Sequence, residues 1–277
     1  MSPRPVRALV AAAHPGPTLA VTTLTALLAG ATGRPLGVGV LVTAAVLAGQ
    51  LSIGWSNDLI DATRDARIGR TDKPVASGAV SERLVRQAIT ISLLACVALS
   101  LACGWRSGVT HLALVGAGWA YNLGLKSSLW SAAPYAVAFG ALPAVVTLAG
   151  PDPRLPVPSL FVTGALLGVG AHLLNALPDL ADDAATGVRG LPHRLGDRGS
   201  RVLGAAALAA ALSLAAGWRS DGFGGASGFL GDLGLVMALG LAGVLGLVVV
   251  LGRGRWPFAA AIAAALVAVV ALLLRAG

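Results

Sequence analysis

Apolar residues fill long, nearly uninterrupted stretches of the chain, and polar residues gather in short breaks between them. A helix that crosses a bilayer needs about 20 mostly apolar residues. Nine such stretches run near 8–29, 36–56, 84–104, 107–125, 131–149, 158–177, 201–217, 230–251 and 257–274. Glycine and proline mark the divisions, as at Gly33-Arg34-Pro35 and Pro151-Asp152-Pro153. Only Gly104 to Arg106 separates the third stretch from the fourth. The pattern predicts an all-α membrane protein, with about nine transmembrane helices around a central cavity, forming one polytopic domain over 1–277. Arg4 and Arg7 precede the first apolar run as they would in a signal peptide. The run continues to about Leu28, longer than the apolar core of such a signal, so a retained first span is expected.

Composition removes a water-soluble alternative. The 277 residues are 56% hydrophobic and 12% charged, with mean hydropathy +0.81, whereas soluble domains carry about 25% charged residues. A formal charge of +8 raises the question of nucleic acid. The basic residues fall between apolar runs rather than on one soluble face, so they set membrane orientation and no nucleic-acid partner is expected. With the N-terminus inside, 15 of the 20 Lys and Arg lie on the cytoplasmic side and five (Arg34, Arg106, Arg154, Arg219 and Arg275) outside. That bias predicts a multi-pass protein of the cell membrane with its long polar loops in the cytoplasm. Cys96 and Cys103 form no CxxC pair and read as small buried hydrophobes.

The acids are as uneven as the bases. Nine of twelve fall in two groups: Asp58, Asp61, Asp65, Asp72 and Glu82, then Asp179, Asp182, Asp183 and Asp197. Asn57, Asp61 and Asp65 are spaced four apart, and Asn175, Asp179 and Asp183 repeat that spacing 118 residues later. The same offset pairs Ala66 with Ala184, Gly69 with Gly187, Pro74 with Pro192 and Gly78 with Gly196. Two pseudo-repeats follow, with motif regions at 57–78 and 175–196. On a helix, positions i, i+4 and i+8 share a face, so each motif can aim an amide and two carboxylates at one point. Pro178 interrupts the second motif and predicts a break or kink there.

Clustered carboxylates repel unless cations neutralise them. Oxygen-only ligands suit Mg²⁺, which completes its shell with phosphates and water. Two facing clusters suggest two ions clamping one diphosphate, with Arg67, Arg70, Lys73 and Arg189 near enough in sequence to contact the remaining phosphate oxygens. The bland alternative is that the acids pair with neighbouring Arg in solvated loops. A calcium EF-loop is excluded because its D-x-D-x-D-G register is absent.

At these residues the sequence resembles the UbiA superfamily of intramembrane prenyltransferases. The first hallmark is Asn57-Asp58-Leu59-Ile60-Asp61-Ala62-Thr63-Arg64-Asp65, and the second is Pro178-Asp179 through Asp183 to Gly187, followed by Leu191-Pro192. Asp72-Lys73-Pro74 with Gly78 matches the basic-Pro element, and Tyr121 with Lys126 matches a Tyr–Lys element at the end of the fourth helix. The resemblance covers nearly the whole chain. It implies that Asn57, Asp61, Asp65, Asp179 and Asp183 hold Mg²⁺ on an allylic prenyl diphosphate, with Asn175 and Asp58 as further polar contacts. It also implies that Lys73, Lys126, Arg67 and Arg189 neutralise the leaving diphosphate, with Tyr121 a member of the catalytic set through the Tyr–Lys element. The cation formed on ionisation would be captured by a small acceptor, while the isoprenoid tail lies along helices open to membrane lipid. The Pro178-Asp179 form looks like that of quinone and tocopherol branches.

Tyr121, Trp55 and Trp119 are candidates for an aromatic face near the diphosphate that steadies the cation, and the two Trp read otherwise as interfacial anchors. His14, His111, His172 and His193 show no ligand spacing, and His172 reads as a packed histidine. Two other functions stay open: a terpene cyclase on the same site, and a secondary transporter built from a parallel repeat. A transporter would place its ionisable residues near the bilayer midplane, whereas these stand at the cytoplasmic edge. The acceptor and the prenyl chain length leave no trace in the sequence.

Overall fold

A computed structural model describes residues 3–217, 240 and 243–276. The described residues are helical throughout, with short turns between helices and no strand. The first apolar stretch is not one helix. It forms α1 (Pro3–Ala12) and α2 (Pro15–Ala31), broken at His14, whose backbone is left-handed (φ 51°, ψ 65°). Pro15 offers no N–H to a continuing helix, and its ring drives the residue before it out of the right-handed region.

The second stretch is longer than expected. Helix α3 (Leu36–Arg67) has 32 residues, about 48 Å at 1.5 Å per residue, against a hydrocarbon core of about 30 Å. The first motif occupies the surplus. Helices α4 (Glu82–Ala102), α5 (Trp105–Leu123), α6 (Ala133–Thr147) and α7 (Pro158–Asn175) follow the expected order. Ser81 caps α4 by accepting the Leu84 N–H at 3.3 Å, and Gly104 divides α4 from α5. Two 3₁₀ turns, Leu125–Ser127 and Leu129–Ala132, precede α6.

After α7 the chain breaks as Pro178 predicts: a 3₁₀ turn (Leu177–Asp179) leads into the short α8 (Leu180–Ala185). Helix α9 (Leu191–Gly217) bends at Gly196, α10 is helical over 243–251, and α11 runs Trp256–Ala276. The eighth apolar stretch is thus described only in part, and Arg219 lies outside the described residues.

Helices α3, α6, α7, α9 and α11 surround a common core that includes Val42, Val46, Val145, Val146, Leu174, Leu208 and Ala264. Small residues permit the closest approach. A Cβ on Gly164 or Gly168 of α7 would stand 2.3 Å from the Phe139 or Tyr135 carbonyl oxygen of α6. Outward, Leu36, Val40, Ile91, Leu94 and Val109 leave more than half their surface uncovered, an apolar exterior suited to lipid. Among the described residues, four helical stretches, Leu36–Arg67, Glu82–Ala102, Leu129–Thr147 and Pro158–Ala185, are long and apolar enough to cross a membrane by length and composition.

The connections sort to two ends. Arg34 Nη1 donates to the carbonyls of Thr147, Ala149 and Asp152 at 3.4, 3.2 and 3.0 Å, and the Gly150 N–H donates to the Cys103 carbonyl at 2.9 Å. The α2–α3, α4–α5 and α6–α7 connections therefore meet at one end. Both acidic motifs sit at the other.

Candidate active site

The first motif is carried on unbroken helix, so Asn57, Asp61 and Asp65 share a face of α3. Asp61 and Asp65 are buried, at 6% and 3% exposure. The Lys126 ammonium, delivered by the first 3₁₀ turn after α5, is hydrogen-bonded to Asp61 Oδ1. Burial pulls Lys126 below the ordinary lysine range, while the Asp61 carboxylate pulls the other way. Asn57 donates to Asn122 Oδ1 at 3.1 Å, and Asn122 donates to the Ile53 carbonyl and Ser56 Oγ at 2.9 and 2.8 Å. That amide ladder fixes α5 to α3, and with it the chain that presents Lys126.

The repeat holds in the caps as well as in the letters. Gly69 (φ 71°) and Gly187 (φ 85°) follow the ends of α3 and α8 in the left-handed region. The next amide folds back each time onto the last motif aspartate: Arg70 N to Asp65 O at 3.0 Å, Val188 N to Asp183 O at 2.9 Å. Only glycine takes that backbone without a steric cost, which accounts for the two glycines at equal offset.

Arg64 joins the motifs. Its guanidinium stands 3.1 Å from Asp61, 3.6 Å from Asp65 and 3.8 Å from Asp183. Arg70 makes the second bridge, to Asp179 at 3.1 Å and Asp182 at 3.5 Å, while gripping Asp72 through two 2.8 Å bonds. That fork depresses the Asp72 carboxyl to about 2 and raises the Arg70 guanidinium. His193 adds a ring nitrogen 3.7 Å from Asp183. Tyr121 stacks edge-on against Tyr135 and His172 (centroids 5.3 and 5.7 Å), Asn175 approaches the Tyr135 hydroxyl, and Ser131 Oγ lies 3.0 Å from His172 Nε2. Ser131 also accepts the Leu191 N–H at 2.9 Å, tying the start of α9 to the site.

The structure thus brings together Asn57, Asp61, Asp65, Lys126, Asp179 and Asp183, and places Tyr121 and Asn175 beside them. Other expected members stand elsewhere. Asp58 is turned away to accept the Val75 N–H at 3.0 Å, with Lys73 3.8 Å from its other oxygen, so it pins the loop after α3. Arg67 is exposed and lines a separate surface depression with Ala62, Thr63, Ala66 and Glu82, because it falls about 200° around the helix from Asp65. Arg189 is exposed, and neither it nor Arg67 forms an ion pair among the described residues. Trp55 Nε1 donates to the Leu9 carbonyl (2.9 Å) and Trp119 Nε1 to Ser52 Oγ (3.3 Å), so both pin helices together. His172 is packed and hydrogen-bonded as expected. Cys96 and Cys103 are buried free thiols.

The donor chemistry fits a hard divalent cation. All the converging acids offer carboxylate oxygens, and Asp65 Oδ2 is buried without a hydrogen-bond partner, an atom that a cation satisfies. Among the described residues no three acidic, cysteine or histidine side chains close on one point by themselves; Arg64 and Lys126 stand between the carboxylates.

An all-helical membrane protein with two carboxylate motifs facing across one end of the bundle is the class that fold and site define. The family model "UbiA prenyltransferase family" matches residues 19–264, and the chain belongs to that family. Solved structures share the fold. A UbiA homologue from Aeropyrum pernix K1 aligns with TM-score 0.73 at 16% identity, covering 93% of this chain and 97% of that one. A UbiA homologue from Archaeoglobus fulgidus bound to GPP and Mg²⁺ aligns with TM-score 0.70 at 15% identity, covering 96% and 99%. A digeranylgeranylglyceryl phosphate synthase aligns with TM-score 0.65 at 16% identity, covering 98% of each chain. No curated protein sequence matches the chain.

Proposed function

We propose that this protein moves an isoprenoid chain from an allylic prenyl diphosphate to a small acceptor in a Mg²⁺-dependent reaction. It works as a nine-span protein of the cell membrane with the motif end toward the cytoplasm. The observation that carries the reading is the convergence of carboxylates from both motifs with Arg64, Arg70 and Lys126 at one end of the bundle. A diphosphate matches that mixture, with anionic oxygens for the cationic side chains and for metal held by the acids. The Archaeoglobus fulgidus neighbours, solved with GPP or DMAPP and Mg²⁺, point the same way.

Asn57, Asp61, Asp65, Asp179 and Asp183 would hold the metal, taken as two ions. Bound Mg²⁺ supplies Lewis-acid neutralisation of the diphosphate. Lys126, already desolvated beside Asp61, and Lys73, at the edge of the site, are placed to take up the charge on the leaving group. Tyr121, packed edge-on against Tyr135, would offer ring surface to the positive charge on the allylic carbon.

The test is diphosphate release from a panel of prenyl diphosphates, using purified protein in detergent with a mixed pool of phenolic, quinol and glycerol phosphate acceptors. Release that requires Mg²⁺, with a prenylated acceptor found by mass spectrometry, is the expected result. Release undiminished in EDTA, or none from any donor, would sink the reading.

A further inference from the structure

His14 is the one residue other than glycine with positive φ among the described residues. A left-handed histidine is a strained one, and such strain persists only where the surroundings fix it. Here they do. Thr18 Oγ1 donates to the Ala13 carbonyl at 2.8 Å, and Trp55 Nε1 donates to the Leu9 carbonyl at 2.9 Å. The Ala13 carbonyl also presses so closely on Gly54 that a Cβ there would stand 2.3 Å from its oxygen. Proline at 15 explains why the helix stops, but it favours an extended residue before it. The left-handed turn comes from the clamp on Ala13, and it decides where the ring points.

Gly54 stands two turns before Asp61 on the same face of α3, so the clamp sets His14 beside the motif-bearing end of that helix. His14 Nε2 is buried and has no hydrogen-bond partner. The charged groups around it are Lys73, Asp61, Arg255 and Lys126, of which Asp61 and Lys126 belong to the acid-lined cluster and Lys73 to its edge. A buried polar atom without a partner is costly, and a bound molecule is one way to satisfy it. Anionic oxygens already have lysines and arginines to meet them. A single buried ring nitrogen offers one hydrogen bond and no fixed charge cluster, which suits an uncharged hydroxyl better than a diphosphate.

We propose that His14 Nε2 hydrogen-bonds the hydroxyl of the prenyl acceptor and positions it against the allylic carbon. This rests on the prenyltransferase reading above. The role is one of contact and orientation, with no bond made or broken at His14.

The experiment compares wild type with His14→Gly and His14→Asn, both of which accept the left-handed backbone. It measures the KM for each substrate, with the acceptor taken from the pool that wild type prenylates. Loss of one hydrogen bond should raise the acceptor KM about tenfold in His14→Gly. The donor KM and the thermal midpoint should change little. An acceptor KM unchanged in folded His14→Gly overturns the inference, and so does a rise confined to the donor KM. Wild type that prenylates nothing in the pool sinks the transferase reading instead, so the two failures are distinguishable.

Discussion

The two motifs share seven letters at a constant offset and are built differently. The first rides on continuous helix, its Asp61 and Asp65 nearly inaccessible and met by Lys126 and Arg64. In the second, Pro178 ends α7 early, and the side chains of Asp179 and Asp183 keep 43% and 25% of their surface. The arginines facing the second motif, Arg64 and Arg70, come from the first half of the chain. One half therefore supplies carboxylates and cations, and the other mainly carboxylates. A repeat in sequence preserves the caps and the acids, while the proline lets one copy open toward solvent and reach across.

The largest expected effect tests that asymmetry. Replacing Asp61 with alanine removes a buried acid and strands Lys126, whereas replacing Asp179 removes a half-exposed one that shares Arg70 with Asp182. Turnover should fall about 10³-fold for Asp61→Ala and about 10²-fold for Asp179→Ala, the range seen when a group stabilising developing charge is lost. Both variants should still insert into membranes. Rates like that of wild type in both would remove the acids from the mechanism, and equal losses would erase the contrast between the motifs.

The acids and the Tyr121–Lys126 element were legible because polar residues in an apolar chain have few reasons to be there. The break at His14 was signalled by Pro15 and Pro17 but lay hidden inside an otherwise apolar run. Arg64 carries no such signal, because it falls one residue before the i+8 position. Its importance comes from Asp183, which only the fold brings within 3.8 Å. Nearness in sequence points to Arg67, and helix rotation carries it away. Asn122 and Ser131 stand outside both motifs. An amide next to Tyr121 in an apolar helix was the available signal for Asn122, while Ser131 reaches Leu191 and His172 only through tertiary packing.

The arginine bridges give the next contrast. Both guanidiniums are largely covered, Arg64 at 24% and Arg70 at 18% exposure, but the carboxylates of Arg64 are 4% to 25% exposed and those of Arg70 43% to 55%. Breaking a buried pair costs about 3 kcal/mol because it leaves charge uncompensated, and an exposed one less than about 1 kcal/mol. Arg64→Ala should lower the thermal midpoint more than Arg70→Ala does. Because a cation can replace the lost guanidinium, Mg²⁺ should restore more of the midpoint in Arg64→Ala than it adds to wild type. Equal Mg²⁺ shifts in the two variants would mean that Arg64 and the metal do not share the same carboxylates.

The smallest effect is the pH response of the exposed bridge. Asp72 is held at about 2 by the Arg70 fork, below the ordinary aspartate value of about 4. A depressed carboxyl stabilises the fold fully above its unfolded value, and the contribution disappears as pH falls from about 4 through about 2. Protonation frees Arg70 from Asp72 and loosens the loop that holds it against Asp179 and Asp182. Pepsin, active in that window, should cut the loop over 68–80 about threefold faster at pH 2 than at pH 4, a change within the range of a single exposed ion pair. Asp72→Asn should cleave at the faster rate at both values. If it shows the same rise as wild type, another group controls the loop, and the bridge from the first half to the second does not depend on Asp72.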